Sequence, residues 1–276
     1  MGFSWKIAEG TKVKLKEYAP EYIDRSVDHD AAKETLAGLS DELSKLQELL
    51  AAAQHHSLLI VLQGMDTSGK DGTIRHVLTL VNPQGCDVNS FKAPTSEELL
   101  HDFLWRIHKV TPQRGMIGVF NRSHYEDVLV VRVHNLVPET VWSGRYKEIN
   151  HFEKLLTESG TIVLKFFLHI SNEEQKQRLL AREQDRDKAW KLSASDWAER
   201  KYWDDYQAAY EDVLSKCSTQ EAPWYIVPAN HKWYRNLVIA QTLVDTMHRY
   251  KDEWQADLEM RGKKELIALK KMRDGK

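Results

Sequence analysis

The apolar run Leu58-Leu59-Ile60-Val61-Leu62 leads through Gln63 into Gly64-Met65-Asp66-Thr67-Ser68-Gly69-Lys70-Asp71-Gly72. A buried strand that ends in spaced glycines and a lysine, with helix-forming sequence beyond, restricts the fold more than any other part of the chain. The glycines let the backbone turn so that successive N–H groups converge, the helix N-terminus adds partial positive charge, and Lys70 adds a full one. Up to its last position the spacing is that of the phosphate-binding G-x-x-x-x-G-K-[ST] loop, and strand–loop–helix is the context such a loop needs. The predicted phosphate cradle comprises Gly64, Thr67, Ser68, Gly69, Lys70, Asp71 and Gly72. The plainer reading, a turn that only links strand to helix, does not account for the lysine. Asp71 stands where a hydroxyl residue usually holds Mg²⁺. That departure argues against an ordinary ATP- or GTP-hydrolysing switch. It moves the expected metal contact to Asp66, since a carboxylate among phosphates needs a cation between them.

Strand and helix patterns alternate on either side of this loop. Leucines at 36, 39, 43, 46 and 50 give residues 30–56 the seam of an amphipathic helix, packed on its own domain or shared with another subunit. Strands are expected at 57–63, 86–91, 115–120, 161–170 and 224–227. Helices are expected at 70–81, from a capping box at Thr95-Ser96-Glu97-Glu98 with Leu99, Leu100, Phe103, Leu104 and Ile107 inward, near Ser123, after Pro138, after Ser171, up to Ser215, and at 232–248. Helices of this length between strands predict right-handed βαβ crossovers and a mostly parallel sheet covered on both faces, an α/β fold of three layers. Residues 1–29 read as an irregular arm, 30–250 as one domain, and 251–276 as a solvated helical tail.

The longest aliphatic run is far shorter than the ~20 residues of a membrane helix. The charged segment 1–18 does not read as a secretory signal. Only Cys86 and Cys217 are present, which suits a reducing cytosol rather than a disulfide scaffold. With 39 Lys+Arg against 41 Asp+Glu the formal charge is −2, so a polyanion must be bound by a local patch. Neither nucleic acid nor membrane is an expected partner. The histidines, among them His55, His56, His76, His101, His108, His124 and His134, show no metal-ligand spacing.

Two further motifs carry charge to the expected site. The strand near 120 ends in Phe120-Asn121-Arg122-Ser123-His124-Tyr125-Glu126-Asp127, where folds of this kind place metal and catalytic groups. An arginine at a buried strand end needs an anion. Glu126 and Asp127 either face the site or begin a solvated helix. Arg178, Arg182 and Arg186 repeat at i, i+4 within a run that also holds Lys188, Trp190 and Lys191. Such a run is a solvated face or, after a late strand of a phosphate-loop protein, a lid spanning about residues 176–200.

The loop motif, together with Ser90-Phe91-Lys92-Ala93-Pro94-Thr95, His101-Asp102-Phe103-Leu104-Trp105-Arg106, Asn121 to Val128, Trp224-Tyr225-Ile226-Val227-Pro228-Ala229-Asn230 and Lys232-Trp233-Tyr234-Arg235, resembles the second polyphosphate kinase family over roughly residues 30–250. The resemblance implies a thymidylate-kinase-like P-loop fold that moves phosphate reversibly between inorganic polyphosphate and nucleotides with Mg²⁺ or Mn²⁺. The Asn121…Glu126-Asp127 pattern resembles the subgroup acting on both mono- and diphosphates, hence AMP and ADP, with GMP and GDP as further acceptors. By position, Asp66 and Asp127 would hold metal, Asp66 also orienting the acceptor phosphate. Lys70, Lys92, Arg122, Arg178, Arg182, Lys188 and Lys191 would contact phosphates, and Asn121, Glu126, Asp127 and Arg132 would lie by the nucleotide. Catalysis would fall to Asp66, Lys70, Arg122, Asp127 and Arg178. The family's lid proline is missing from Asp185-Arg186-Asp187-Lys188-Ala189-Trp190-Lys191. A cytoplasmic homo-oligomer, dimer or tetramer, is the expected state. The rival expectations are an ATP-dependent nucleoside monophosphate kinase and a nucleotide-binding module that turns nothing over.

Overall fold

The computed structural model describes residues 4–79, 81–184 and 194–275. In chain order the elements are β1 (Trp5–Lys6), α1 (His29–Ala53), β2 (Ser57–Gln63), α2 (Lys70–Val77), β3 (Cys86–Ser90), α3 (Trp105–His108), β4 (Ile117–Asn121) and α4 (Val130–Val133). There follow α5 (Glu139–Glu158), β5 (Thr161–His169), α6 (Asn172–Gln184), α7 (Ala194–Glu199), α8 (Trp203–Lys216), β6 (Trp224–Pro228) and α9 (Lys232–Arg273). The strands form one sheet in the order β1-β6-β5-β2-β4-β3, parallel except for β1.

Strand alternation sorts the helices into two layers. Ile60 and Leu62 of β2 and Val119 of β4 face Ile74 and Val77 of α2 and Ile239 and Leu243 of α9. On the other face Lys165 of β5 reaches Glu153 of α5, and Phe167 packs on Tyr210 of α8 at 4.4 Å. Covered on both faces, β2 and β5 are buried along their whole length. After β2 the chain crosses to β3 on one side and later to β5 on the other. The C-terminal end of β2, where the phosphate loop begins, is therefore a topological switch point.

The leucine seam of α1 is covered from within the chain. Asp28 caps the helix by accepting from the Asp30 and Ala31 N–H groups, and α1 packs along α9 with Leu43, Leu46 and Leu50 buried. The arm is more ordered than its sequence suggests: β1 pairs antiparallel with β6, and Ile7, Val13 and Leu15 join the core. Helix α2 stops at Val77, short of 81, where the Thr79 hydroxyl bonds the Arg75 carbonyl.

The capping box at Thr95 forms reciprocally, Thr95 N–H to Glu98 Oε2 at 2.7 Å and Glu98 N–H to Thr95 Oγ1 at 3.2 Å, but the long helix does not follow. Only a single 3₁₀ turn, Glu98–Leu100, results, leaving Leu99 and Leu100 69% and 85% exposed. The Asp102 carboxylate takes the Leu104 N–H at 2.9 Å and restarts the chain as the short α3. Nor does the fold break at residue 250. Helix α9 continues to Arg273, with Trp254 buried and its indole N–H donated to His56 Nδ1 at 3.0 Å, while Arg261 bonds the terminal α1 carbonyls of Ala52 and Ala53.

Candidate active site

The loop from Gly64 to Lys70 turns tightly against the sheet. A Cβ at Gly64 (φ +153°) would stand 2.7 Å from the Leu168 carbonyl oxygen, so no larger residue fits without displacing β5. Thr67 takes a left-handed backbone, φ +64°, an unfavourable state for a β-branched residue and a mark of a constrained loop. The hydroxyls of Thr67 and Ser68 are buried without a hydrogen-bond partner among the described residues. Buried hydroxyls ordinarily have one, so two orphans in a cradle of main-chain amides fit an oxygen-rich ligand. The Lys70 ammonium bends back to the Gly64 and Met65 carbonyls at 2.8 and 3.3 Å. Burial, reinforced by the Arg122 charge, pushes it down to about 8 against the pull of Asp66, Glu126 and Asp71.

Arg122, at the end of β4, forms the opposite wall. Its N–H bonds the Leu62 carbonyl at 3.0 Å, its backbone is left-handed (φ +62°), and its guanidinium meets Asp66 at 2.9 Å and Glu126 at 3.7 Å. Burial works against its charge, but Glu126 and Asp66 outweigh burial and hold it protonated beyond an ordinary arginine. The neighbouring Asn121 donates its amide N–H to Asp71 Oδ1 at 2.8 Å. The carboxylate at the usual hydroxyl position thus ties α2 to the end of β4.

The structure brings together Gly64, Asp66, Thr67, Ser68, Gly69, Lys70, Asp71, Asn121, Arg122 and Glu126. It places others elsewhere. Asp127 accepts from Arg145 at 3.0 Å and lies 3.9 Å from Arg106. Burial pushes its carboxyl up to about 6 despite both arginines. Its partners here are two guanidiniums rather than the loop, where a metal contact was the expectation. Arg132 is spent on Asp212 at 2.6 Å and Tyr146 at 3.1 Å, over the Trp142 ring, with no partner from the loop. Lys92 is exposed, its carbonyl accepting from Arg106 at 2.9 Å. Arg182 pairs with Asp196 at 3.2 Å. Lys188 and Lys191, with Arg186 and Trp190, lie outside the described residues.

Arg178 departs furthest from expectation. Rather than reaching outward, it is buried and its five N–H donors are all used: Nε to Glu174, one terminal nitrogen to the Thr67 and Ser68 carbonyls, the other to the Ala229 and Asn230 carbonyls, all within 2.6–3.1 Å. A guanidinium bound in this way braces the loop and has no donor left for a phosphate.

Several site residues were not picked out by motif spacing. Gln175 donates to the Asp66 carbonyl at 3.1 Å, and Arg235 donates to the Ser68 carbonyl at 3.1 Å. Asp196, within the stretch expected as a lid, has its carboxyl raised by burial and by Asp66. Tyr206 and Tyr210 of α8 are raised by burial, with Glu126 and Asp66 adding to it. Only Arg235 fell within a quoted motif; Asp196 lay in the expected lid stretch without being singled out, and Gln175, Tyr206 and Tyr210 arrive from helices whose local sequence reads as packing.

Among the described residues no group of three or more His, Cys, Asp or Glu could hold a metal ion. A magnesium ion that serves phosphoryl transfer takes most of its ligands from phosphates and water and one or two from carboxylates. Asp66, partly exposed within the loop, fits that single-carboxylate requirement.

Comparison with known proteins accords with this geometry. A protein of Meiothermus ruber named AMP/ADP-polyphosphate phosphotransferase is 50% identical over 246 residues, covering 88% of this chain and 91% of that protein. One of Rhodopseudomonas palustris named ADP-polyphosphate phosphotransferase is 44% identical over 96% of both chains. The crystal structure of Polyphosphate Kinase 2 from Arthrobacter aurescens superposes with a TM-score of 0.85 at 46% identity, covering 88% of this chain and 87% of that one. The model of the Polyphosphate kinase 2 family matches residues 26–255, and the chain belongs to that family.

Proposed function

We propose that the chain transfers the terminal phosphoryl group of inorganic polyphosphate to AMP and ADP, with GMP and GDP as further acceptors, and runs in reverse when triphosphate accumulates. The observation that carries this reading is the loop itself: main-chain amides, two orphaned buried hydroxyls and Lys70 facing Arg122, with the hydroxyl position given to an Asp71–Asn121 bond. Relatives 50% and 44% identical over most of their length are named AMP/ADP-polyphosphate phosphotransferase and ADP-polyphosphate phosphotransferase, which supports the reading.

The chain's own groups supply binding and positioning. When an anion enters, the Lys70 ammonium exchanges the Gly64 and Met65 carbonyls for phosphate oxygens, and Arg122 exchanges Asp66 for the transferring group. Each charge-assisted hydrogen bond contributes about 1.5–3 kcal/mol, enough for a few to hold a chain of phosphates against a slightly acidic protein. The reaction needs no covalent intermediate. Alignment of donor and acceptor, with neutralisation of the equatorial oxygens, carries it, and an arginine in the place of Arg122 is worth ~10³–10⁵ in rate in related chemistry. Mg²⁺, or Mn²⁺ in its place, would be held by Asp66 and supply charge neutralisation between phosphates.

A cytoplasmic dimer or tetramer belongs to the same proposal. No helix among the described residues is long and apolar enough to cross a membrane, and the end of α9 leaves Leu266, Ile267, Leu269 and Met272 exposed. Light scattering that gave only the 32.1 kDa monomer would contradict an oligomer. The activity is tested by incubating the protein with Mg²⁺, long-chain polyphosphate and either AMP or ADP. ATP is the expected product. Phosphorylation of AMP by ATP alone would make it an ATP-dependent monophosphate kinase, and no turnover of either kind would make it a binding module.

A further inference from the structure

Behind the phosphate loop two buried guanidiniums meet on one carbonyl. Arg178 and Arg235, 8% and 2% exposed, each donate to the Ser68 oxygen at 3.1 Å. Arg178 has Glu174 as its carboxylate at 2.7 Å. Arg235 has no carboxylate in ion-pair reach among the described residues. Its Nε and remaining terminal nitrogen are held by Asn236 Oδ1 at 3.1 and 2.8 Å, which fixes the fork on the loop. Two like charges gathered in an interior with one carboxylate between them are costly, and such an arrangement needs a compensating gain.

Peptide geometry supplies one. In a planar trans peptide the C=O and the following N–H point to opposite sides. Holding the Ser68 carbonyl toward the guanidiniums therefore turns the Gly69 N–H away from them. The preceding Ser68 N–H is already used, bonding the Met65 carbonyl at 3.0 Å, whereas no described hydrogen bond uses the Gly69 N–H. A cationic donor on a carbonyl also polarises the amide on its far side. The fit is close: a Cβ at Gly69, where φ is +104°, would lie 1.8 Å from the Arg235 terminal nitrogen. A side chain at 69 would thus have to displace the Arg235 guanidinium from behind the loop, besides adopting the strained φ of the turn.

We propose that Arg235 is a positioning residue for phosphoryl transfer: with Arg178 it grips the Ser68 carbonyl from behind and so aims and polarises the Gly69 amide toward the bound phosphate, touching no substrate itself. This rests on the phosphate-loop reading above. Burial and the Arg178 charge bring the Arg235 guanidinium down to about 10, so it stays charged at neutral pH.

Tripolyphosphate titrated into protein labelled with ¹⁵N-glycine is the first test, since the chain has only 13 glycines to resolve. The Gly69 amide proton moves downfield on saturation. A Gly69 amide unmoved while tripolyphosphate binds overturns the proposal without any variant. Arg235→Gln and Arg235→Lys then separate charge from aim. In Arg235→Gln, tripolyphosphate binding weakens about tenfold and kcat falls while KM for the nucleotide holds. Arg235→Lys, which cannot bridge Ser68 and Asn236 together, recovers only part of both. Folded variants that bind tripolyphosphate and turn over within twofold of wild type refute the role of Arg235 and leave the phosphate loop intact. Wild-type protein that binds no tripolyphosphate removes both readings.

Discussion

Lys165→Met tests what holds the wall of the site in place. Lys165 lies in the middle of β5 with its side chain fully buried, donating to the Glu153 carboxylate, the Tyr125 hydroxyl at 2.9 Å and the Cys217 carbonyl at 2.6 Å. Glu153 also accepts from Tyr125 at 2.7 Å and pairs with His124 Nε2 at 3.2 Å. Burial alone would raise the Glu153 carboxyl, but Lys165 and His124 outweigh it and hold it below the usual carboxylate range. Met leaves that carboxylate buried without its cation, and breaking a buried pair from one side costs about 3–5 kcal/mol. For a domain of this size that is a fall in Tm on the order of 10 °C. The sign with pH follows from the lowered carboxyl. Its contribution is present above the unfolded carboxylate range and lost as pH falls through the folded value, so the gap between wild type and variant widens from pH 4 to 7. Thermal unfolding followed by near-UV circular dichroism measures it. The double variant Lys165→Met/Glu153→Leu, which removes both charges, recovers most of the loss. A single variant within about 1 kcal/mol of wild type, or a double variant no better than the single one, would refute the reasoning. Because His124 and Tyr125 directly follow Arg122 and Ser123, transfer activity falls with the single variant even where it remains folded.

Three other outcomes follow from the same geometry. With free Lys70 near 8, tripolyphosphate affinity measured by calorimetry falls as pH rises from 7 to 9.5, because the bound anion needs the ammonium; a flat profile would place Lys70 outside the cradle. Asp127, raised to about 6, favours the fold below the unfolded carboxylate range and loses that contribution as pH climbs through 6, so Asp127→Asn gains Tm relative to wild type between pH 4 and 7.5, and a constant difference would contradict the burial argument. Trp254→Ala costs about 3–5 kcal/mol in urea unfolding, as for a core tryptophan, whereas a solvated tail would cost nothing measurable.

Local chemistry made much of this legible in the sequence. Strand β2 and the turn after it are legible because an apolar run and spaced glycines leave the backbone few alternatives; α5 follows from the break at Pro138, β5 from a continuous apolar run, and α8 from a Trp/Tyr-rich stretch that ends near Ser215. The Thr95 segment shows the limit: its capping box forms, yet Asp102 supplies a competing turn that periodicity does not weigh. Arg178 shows another. Its i, i+4 spacing with Arg182 identifies a shared helix face but not whether that face meets substrate or the back of a loop. The carbonyls of Ala229 and Asn230, about fifty positions away, decide that, and no local pattern contains them. Tyr206, Tyr210 and Asp196 escaped for the same reason, since helices brought together by the fold place them.

The central claim is that the cradle from Gly64 to Lys70 binds the phosphate chain whose end is transferred. Phosphorus NMR of wild type and Lys70→Ala, each with Mg²⁺, polyphosphate and ADP, tests it most directly. Polyphosphate signal is lost with matching growth of the β-phosphate of ATP in wild type, and neither change occurs in a folded Lys70→Ala protein. Wild-type rates of ATP formation in Lys70→Ala would contradict it.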